Sequence, residues 1–120
     1  MPEYVDGFLL SVPKNKLPDY RRIARKAGKI WKEYGALDYR ECAGDDLKIK
    51  GFVNFSSAAK TKPGETVVFS WAVFKSRKHR DQVNAKIMKD PRIAAMGGEC
   101  EKLFDCKRMA YGGFTTIVHV

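Results

Sequence analysis

The hydrophobic pattern switches between two periods along the chain and outlines alternating strands and helices. Four segments alternate in polarity or are rich in β-branched and aromatic side chains, which predicts strands at residues 4–12, 37–43, 65–74 and 107–120. Apolar residues recur at helical spacing in two others, which predicts helices over residues 16–34 and from an N-cap at Ser76 to about Lys89. The order β-α-β-β-α-β predicts a ferredoxin-like α+β fold, an antiparallel sheet with helices on one face, in a single domain of residues 1–120.

The pattern is weaker between these elements. Residues 52–55 are predicted to form a short edge strand, residues 92–96 a short turn of helix, and Gly97-Gly98 the start of a loop. Gly28 inside the first helix costs up to about 1 kcal/mol relative to alanine, which indicates a close neighbour that needs the space. Gly112-Gly113 in the last strand predicts a bulge or a close backbone approach.

The strand at residues 65–74 is apolar on both sides. One side carries Val67, Phe69, Trp71 and Val73, and the other carries Val68, Ser70, Ala72 and Phe74. A strand of this kind is buried on both faces. Because the helices cover only one face, we expect a second copy of the sheet to cover the other, in a two-fold homodimer that forms a dimeric α+β barrel.

The charge of the chain adds one alternative function. The net charge is +9, and one face of the first helix carries six cations: Arg21, Arg22, Arg25, Lys26, Lys29 and Lys32. A surface of this sign attracts phosphate groups, so a basic RNA-binding module that uses this face is the alternative to a small-molecule function. The face lacks interleaved aromatic residues, which weakens that alternative.

Composition excludes several other classes. The chain is 44% hydrophobic and 31% charged, as in ordinary globular domains. It has no apolar run of membrane-spanning length and no signal peptide, so a cytoplasmic location is expected. The three cysteines have no CxxC spacing, and neither a metal-ligand pattern nor a dinucleotide or phosphate-binding fingerprint is present, so neither a metal nor a cofactor is expected.

Several blocks of the chain resemble successive blocks of one bacterial family, at residues 4–8, 27–36, 39–42, 69–71, 76–86 and 107–114. The family is the YbaA-like one, domain-of-unknown-function family 1428. The resemblance implies a dimeric α+β barrel similar to the antibiotic-biosynthesis-monooxygenase group, and it implies no activity, since none is established for the family. Residues 102–106 read Lys-Leu-Phe-Asp-Cys where the family usually has Met-Pro-Phe-Asp-Gly, so the approach to the last strand departs from the family pattern.

Asp6 is the first candidate for chemistry, because it is a carboxylate on an otherwise apolar strand face. A buried carboxylate needs a cation or hydrogen bonds, or its pKa must rise. A structural ion pair, with Arg108 or Arg40 on a neighbouring strand, is the favoured interpretation. A functional carboxylate is the alternative.

The second predicted helix begins with further polar candidates. His79 could act as a general base near neutral pH, although a structural histidine at the helix start, hydrogen-bonded to a backbone carbonyl, is favoured. Arg80 and Asn84, spaced i, i+4, either bind an anionic or carbonyl-bearing ligand or form a buried polar network.

The first function hypothesis is therefore a small-molecule-binding protein or cofactor-independent enzyme, with a pocket between sheet and helices. Catalytic candidates are Asp6 and His79, and the ligand-binding candidates are Trp71, Arg80, Asn84, Arg108 and Tyr111. Trp71 and Tyr111 would supply the walls, although plain core packing is the commoner role of such aromatic residues.

Overall fold

A computed structural model describes residues 2–120 and contains a four-stranded antiparallel sheet in the order β2-β3-β1-β4. The strands are β1 (Tyr4–Pro13), β2 (Asp38–Ala43), β3 (Glu65–Phe74) and β4 (Ala110–Thr115). The helices are α1 (Leu17–Glu33), α2 (Phe55–Ala58), α3 (Arg77–Met88) and α4 (Pro91–Leu103), with short 3-10 helices at Lys14–Lys16 and Cys106–Arg108. The predicted β-α-β-β-α-β order is confirmed, with α2 and α4 added to it. None of the helices in this part of the chain is long and apolar enough to cross a membrane.

The central strand β1 pairs along its whole length with β3 and with β4 at one end. Successive side chains of a strand point to opposite faces, so Leu10 and Val12 share the helix face of the sheet with Asp6. Leu10 and Val12 are buried with Tyr20 of α1 in one half of the core. The other half joins β3 to α3, through a cluster of Ala36, Ala72, Phe74, Val83 and Ile87. Helices and sheet thus bury one face of the sheet between them.

The opposite face of the sheet, here called the open face, is mostly apolar and only partly covered. Its apolar side chains include Val5, Leu9, Phe69, Trp71, Val73 and Phe114, with Gly7 and Gly112 between them, and its β2 edge carries Asp38, Arg40 and Cys42. Phe69 is 44% exposed and Phe114 is 62% exposed. Within residues 2–120, Phe55 of α2 reaches this face at one corner, where its ring lies 5.9 Å from that of Phe69.

The predicted edge strand at residues 52–55 is wrong. Phe52 and Val53 are exposed and outside any strand, and Phe55 instead begins α2, with Asn54 in the extended N-cap position. The Asn54 side chain makes no capping hydrogen bond, but asparagine is depleted in strands, which disfavours an edge strand at this position.

The helix near the C-terminus is longer than predicted. Asp90 caps α4 by accepting a hydrogen bond from Arg92 N at 2.8 Å, and Pro91 occupies the first turn. Gly97-Gly98 lies inside α4 rather than opening a loop. Leu103 at the end of α4 packs with Phe104 against the core, and this tertiary contact outweighs the low helix propensity of the two glycines.

The last strand is shorter than predicted, because its partner ends. β4 pairs with β1 only as far as Thr115 opposite Tyr4, where β1 begins, so residues 116–120 continue without a strand partner. The register is continuous through Gly112-Gly113, and the predicted close approach is real. A Cβ added to Gly113 would collide with the phenol of Tyr4.

Two helical glycines predict opposite effects of the same substitution. A Cβ on Gly28 would stand 2.6 Å from the ring of Tyr39, whereas a Cβ on Gly97 would meet nothing within 4 Å. We expect Gly97→Ala to raise the free energy of unfolding by about 0.5–1 kcal/mol through helix propensity. We expect Gly28→Ala to lower it by about 1–3 kcal/mol through overpacking. Urea unfolding followed by circular dichroism measures both, and equal stabilisation by the two variants would show that Tyr39 does not press on Gly28.

Candidate functional site

The carboxylate of Asp6 lies at the centre of a polar cluster under α3. Its side chain is 1% exposed, and Arg80 Nη1 donates to Oδ1 at 2.6 Å. Oδ2 accepts from Asn84 Nδ2 at 3.4 Å and from the Tyr111 hydroxyl at 3.3 Å. The guanidinium of Arg80 also stacks over the Tyr4 ring, with Cζ 4.8 Å from its centroid. Four of the predicted site residues thus come together.

The local fold explains this arrangement. Asp6 stands opposite Gly113 on β4, and the absent side chain leaves the Tyr4 ring room beside the carboxylate. Arg80 and Asn84 are one turn apart on α3, so both reach the same strand residue. Burial, then the negative charge of Asp6, raises the pKa of the Tyr111 phenol. With both oxygens bonded and almost no exposure, this carboxylate fastens α3 to the sheet.

His79 belongs to the start of α3 and does not contact Asp6. Its Nδ1 accepts from Lys75 N at 3.0 Å, and its backbone N–H donates to Ser76 Oγ at 3.1 Å, which confirms Ser76 as the N-cap. Its ring meets that of Phe74 edge-on at 6.0 Å. The histidine therefore lies at the helix start as predicted, but its Nδ1 accepts from a backbone N–H instead of bonding to a backbone carbonyl.

Arg108 lies at a different place and pairs with Glu65. Two nitrogens of Arg108 each donate to a Glu65 oxygen at 2.8 Å, and one also donates to the Lys60 carbonyl at 2.8 Å. The hydrogen bonds from Arg108 lower the pKa of Glu65 to about 2. The cation on Asp6 is therefore Arg80, while Arg108 ties β3 to the 3-10 helix before β4.

Trp71 and Tyr111 lie on opposite faces of the sheet. Trp71 stands opposite Gly7 on the open face, and its ring is 5.5 Å from that of Phe69. Tyr111 stands opposite Phe8 on the helix face, and the two rings stack at 4.8 Å. Within one chain they cannot wall the same pocket.

The structure contains a cleft that the sequence did not reveal. It lies between α1 and the edge strand β2, has a volume of about 1060 Å³, and is open along one side. Its wall and floor are formed by Leu17, Tyr20, Arg21, Ala24, Arg25, Gly28, Lys29, Lys32, Glu33, Tyr39, Glu41, Ala43 and Val68. Most of this surface is apolar, and the cations lie along the α1 side.

Two phenols and one carboxylate form the polar centre of the cleft. The Tyr20 hydroxyl donates to Glu41 Oε1 at 2.8 Å, and the Tyr39 hydroxyl donates to Oε2 at 2.6 Å. Burial, then the negative charge of Glu41, raises the pKa of both phenols well above its usual value, so both stay protonated donors. A carboxylate has about four lone-pair positions, so each oxygen keeps capacity for a further donor.

The sequence predicted separate features of this cleft but not that they would lie together. Tyr39 and Glu41 are two residues apart and therefore share one face of β2. Gly28 predicted a close neighbour, and that neighbour is the Tyr39 ring. Tyr20 is far from both in sequence and meets Glu41 only after α1 has packed on the sheet. In the described part of the chain, no cluster of three or more His, Cys, Asp or Glu side chains could hold a metal ion.

The chain is similar to known sequences over most of its length. Residues 3–106 match a family described as "Protein of unknown function (DUF1428)". The chain is 43% identical over 116 residues to the uncharacterised protein YbaA of Escherichia coli strain K12, which covers 97% of each chain. The family resemblance drawn from the sequence blocks is confirmed.

Solved structures share the fold at low sequence identity. SnoaB from Streptomyces nogalater, a cofactor-independent oxygenase solved as a mutant, has a TM-score of 0.66 and 12% identity, covering 100% of this chain and 98% of that one. A dimeric ferredoxin-like protein from an uncultured marine organism has a TM-score of 0.63 and 11% identity, covering 100% of both chains. These likenesses confirm the ferredoxin-like α+β fold.

A mutant cycle tests whether the Asp6 cluster holds α3 in place. Asp6→Asn and Arg80→Gln should each lower the free energy of unfolding by about 3 kcal/mol, because each leaves a buried group without its partner. The double variant should lose much less than the sum of the two. Urea unfolding measures the coupling, and additive effects would contradict it.

Arg22→Gln is the control for that cycle. Arg22 pairs with Glu99 at 3.8 Å, but the two side chains are 50% and 53% exposed and lie on the helices, away from the open face. Exposed pairs contribute little, so this variant should change stability by less than about 1 kcal/mol.

Proposed function

This chain belongs to the DUF1428 family of proteins of unknown function, and we propose that it is a homodimeric small-molecule-binding protein. The ligand occupies the cleft between α1 and β2. The observation that carries the proposal is the Tyr20–Glu41–Tyr39 group at the floor of a mostly apolar cleft. Ligand sites are typically apolar concavities of about 300–1,000 Å³ with a few convergent polar groups, and this cleft, at about 1060 Å³, is slightly larger than that range.

The proposed site is separate from the polar cluster around Asp6. Asp6 is nearly inaccessible and its two oxygens already accept three hydrogen bonds, so a ligand would have to break the attachment of α3 to reach it. Glu41 is only partly buried and keeps acceptor capacity toward the cleft. The carboxylate suited to binding a ligand is therefore Glu41.

Neighbours in fold bear on the kind of function. SnoaB is described as a cofactor-independent oxygenase, which supports small-molecule chemistry on this fold by analogy alone. The two protonated phenols can donate hydrogen bonds to a ligand, and the carboxylate beside them can accept one. Neither role requires a cofactor. The proteins named above are not described as nucleic-acid binding, so the RNA alternative gains no support from them.

The cysteines support a cytoplasmic location, which we propose together with the small-molecule function. Cys42, Cys100 and Cys106 are all free thiols. Free thiols persist in a reducing compartment.

The open face supports the homodimer. Phe69, Trp71 and Phe114 belong to an apolar surface of which α2 covers one corner, through Phe55. A contiguous apolar surface of this kind marks an interaction site. A second copy of the same face is self-complementary about a two-fold axis, and the marine neighbour is described as dimeric.

A neutral dye tests the cleft as the binding site. Phenylnaphthylamine fluoresces when it enters an apolar site and carries no charge. Ala43→Trp, which places an indole at the floor of the cleft, should weaken dye binding by about tenfold or more, equivalent to about 1.4 kcal/mol. Ala85→Trp on the exposed side of α3 is the matched control and should leave the titration unchanged. Dye binding that ignores Ala43→Trp would place the dye elsewhere and remove the cleft as the site.

Sedimentation of a charged variant tests the homodimer. The 13.6 kDa chain should sediment at twice that mass at micromolar concentration. Phe114→Asp on the open face should raise the dimer dissociation constant by about a hundred- to thousandfold, because the burial of each Phe, worth about 2 kcal/mol, is lost twice in a symmetric contact. Met88→Asp, at an exposed apolar position on α3, should leave the dimer intact. A monomeric wild-type protein would overturn the proposal.

A further inference from the structure

We propose that the cleft between α1 and β2 selects an organic anion, that is, a ligand with an apolar body and an acidic group. This inference rests on the proposed small-molecule function and names the ligand class of the same site. It arises from the charges along the mouth of the cleft.

A row of cations borders the cleft on the α1 side. Arg21, Arg25 and Lys29 follow one another at four-residue steps, so they form one ridge of the helix, and Lys32 continues it three residues further on. All four line the cleft and all are exposed. The charged ends of Arg21, Arg25 and Lys29 can therefore reach a ligand whose body lies on the apolar floor, whereas Lys32 Nζ donates to the Leu37 carbonyl at 2.8 Å.

The first three cations of this row have no acidic partner in the part of the chain that the structure describes. Across residues 2–120, no carboxylate lies within 4.0 Å of the charged groups of Arg21, Arg25 or Lys29. Other cations of the chain do find partners, as in the Arg22–Glu99 contact at 3.8 Å. Like charges at i, i+4 destabilise a helix, so the row has a cost that no internal ion pair offsets.

The acidic residues of the cleft do not cancel the row. Glu33 is bound to Arg92, which lies outside the cleft, at 2.8 Å. Glu41 accepts the two phenol hydrogen bonds at the floor. An apolar wall on one side of a row of cations concentrates its field toward the opening, which favours a negative group there.

The alternative is a basic helix face that is exposed to solvent and binds no ligand. Two lysines on α1 form a matched pair that distinguishes this alternative from the proposal. Lys29 lines the cleft, whereas Lys26 lies on the same helix, is equally classed as exposed and does not line it. Changing either to glutamine removes the same charge from the same helix, so a difference between the two variants reports the cleft and not the overall charge.

Two dyes with the same apolar body provide the measurement. Anilinonaphthalenesulfonate is phenylnaphthylamine with an added sulfonate, so the ratio of their affinities isolates the contribution of the anionic group. At low ionic strength we expect the sulfonate dye to bind the wild-type protein about tenfold more tightly. Its affinity should fall as salt is added, while that of the neutral dye should not, because only charge–charge attraction is screened.

The variants then locate the effect. Lys29→Gln should weaken binding of the sulfonate dye by about two- to fivefold, the range for one exposed charge pair, and should leave the neutral dye unchanged. Arg25→Gln should act in the same way, and adding it to Lys29→Gln should bring the two dyes close to equal affinity. Lys26→Gln should leave both titrations unchanged.

The possible outcomes separate failure of this inference from failure of the proposed function. Equal binding of the two dyes to the wild type, with Ala43→Trp still blocking both, would overturn anion selection and leave the small-molecule site standing. Equal effects of Lys26→Gln and Lys29→Gln would also overturn it, since the preference would then come from the whole basic helix face, as an RNA-binding surface requires. If both dyes bind Ala43→Trp as tightly as the wild type, the result counts against the cleft as the binding site.

Discussion

The antiparallel pairing of β1 with β3 is the constraint on which the other placements depend. It runs the full length of both strands, from Tyr4 opposite Phe74 to Pro13 opposite Glu65. A shift of one residue would turn every side chain to the other face. The observed register sends Asp6 toward the helices and Trp71 toward the open face. The attachment of α3 and the apolar open face follow from this register. The floor of the cleft also needs the β2–β3 pairing, which places Tyr39, Glu41 and Ala43 on the helix face.

The two carboxylates on the helix face show why a buried acid is not by itself a functional acid. Asp6 has a cation, an amide and a phenol on its oxygens and 1% exposure, so its bonding is complete within the protein. Glu41 has two neutral donors, no cation within salt-bridge distance in residues 2–120, and a cleft beside it. A desolvated carboxylate without a cation is stabilised less well, and a ligand that donates to it would improve its environment.

Local signals predicted the main elements but not the cleft. Alternation and capping located β1, β3 and the Ser76 start of α3, because these depend on neighbours in sequence. Gly97 and Gly98 predicted a loop, so the full length of α4 was not expected. The helix continues through them because Leu103 at its end packs against the core. Arg80 and Asn84 were recognised as one face of a helix, but their partner Asp6 is set by the docking of α3. The Tyr20–Glu41–Tyr39 group requires three segments to meet, which no local pattern encodes.

The arrangement of the two faces makes the proposed dimer and the proposed binding site compatible. The open face lies on one side of the sheet, while α1 and the cleft lie on the other. A dimer that buries Phe69, Trp71 and Phe114 therefore leaves the cleft of each protomer facing outward. Each ligand site is then built from one chain, and its mouth of unpaired cations stays in contact with solvent, where a charged ligand arrives.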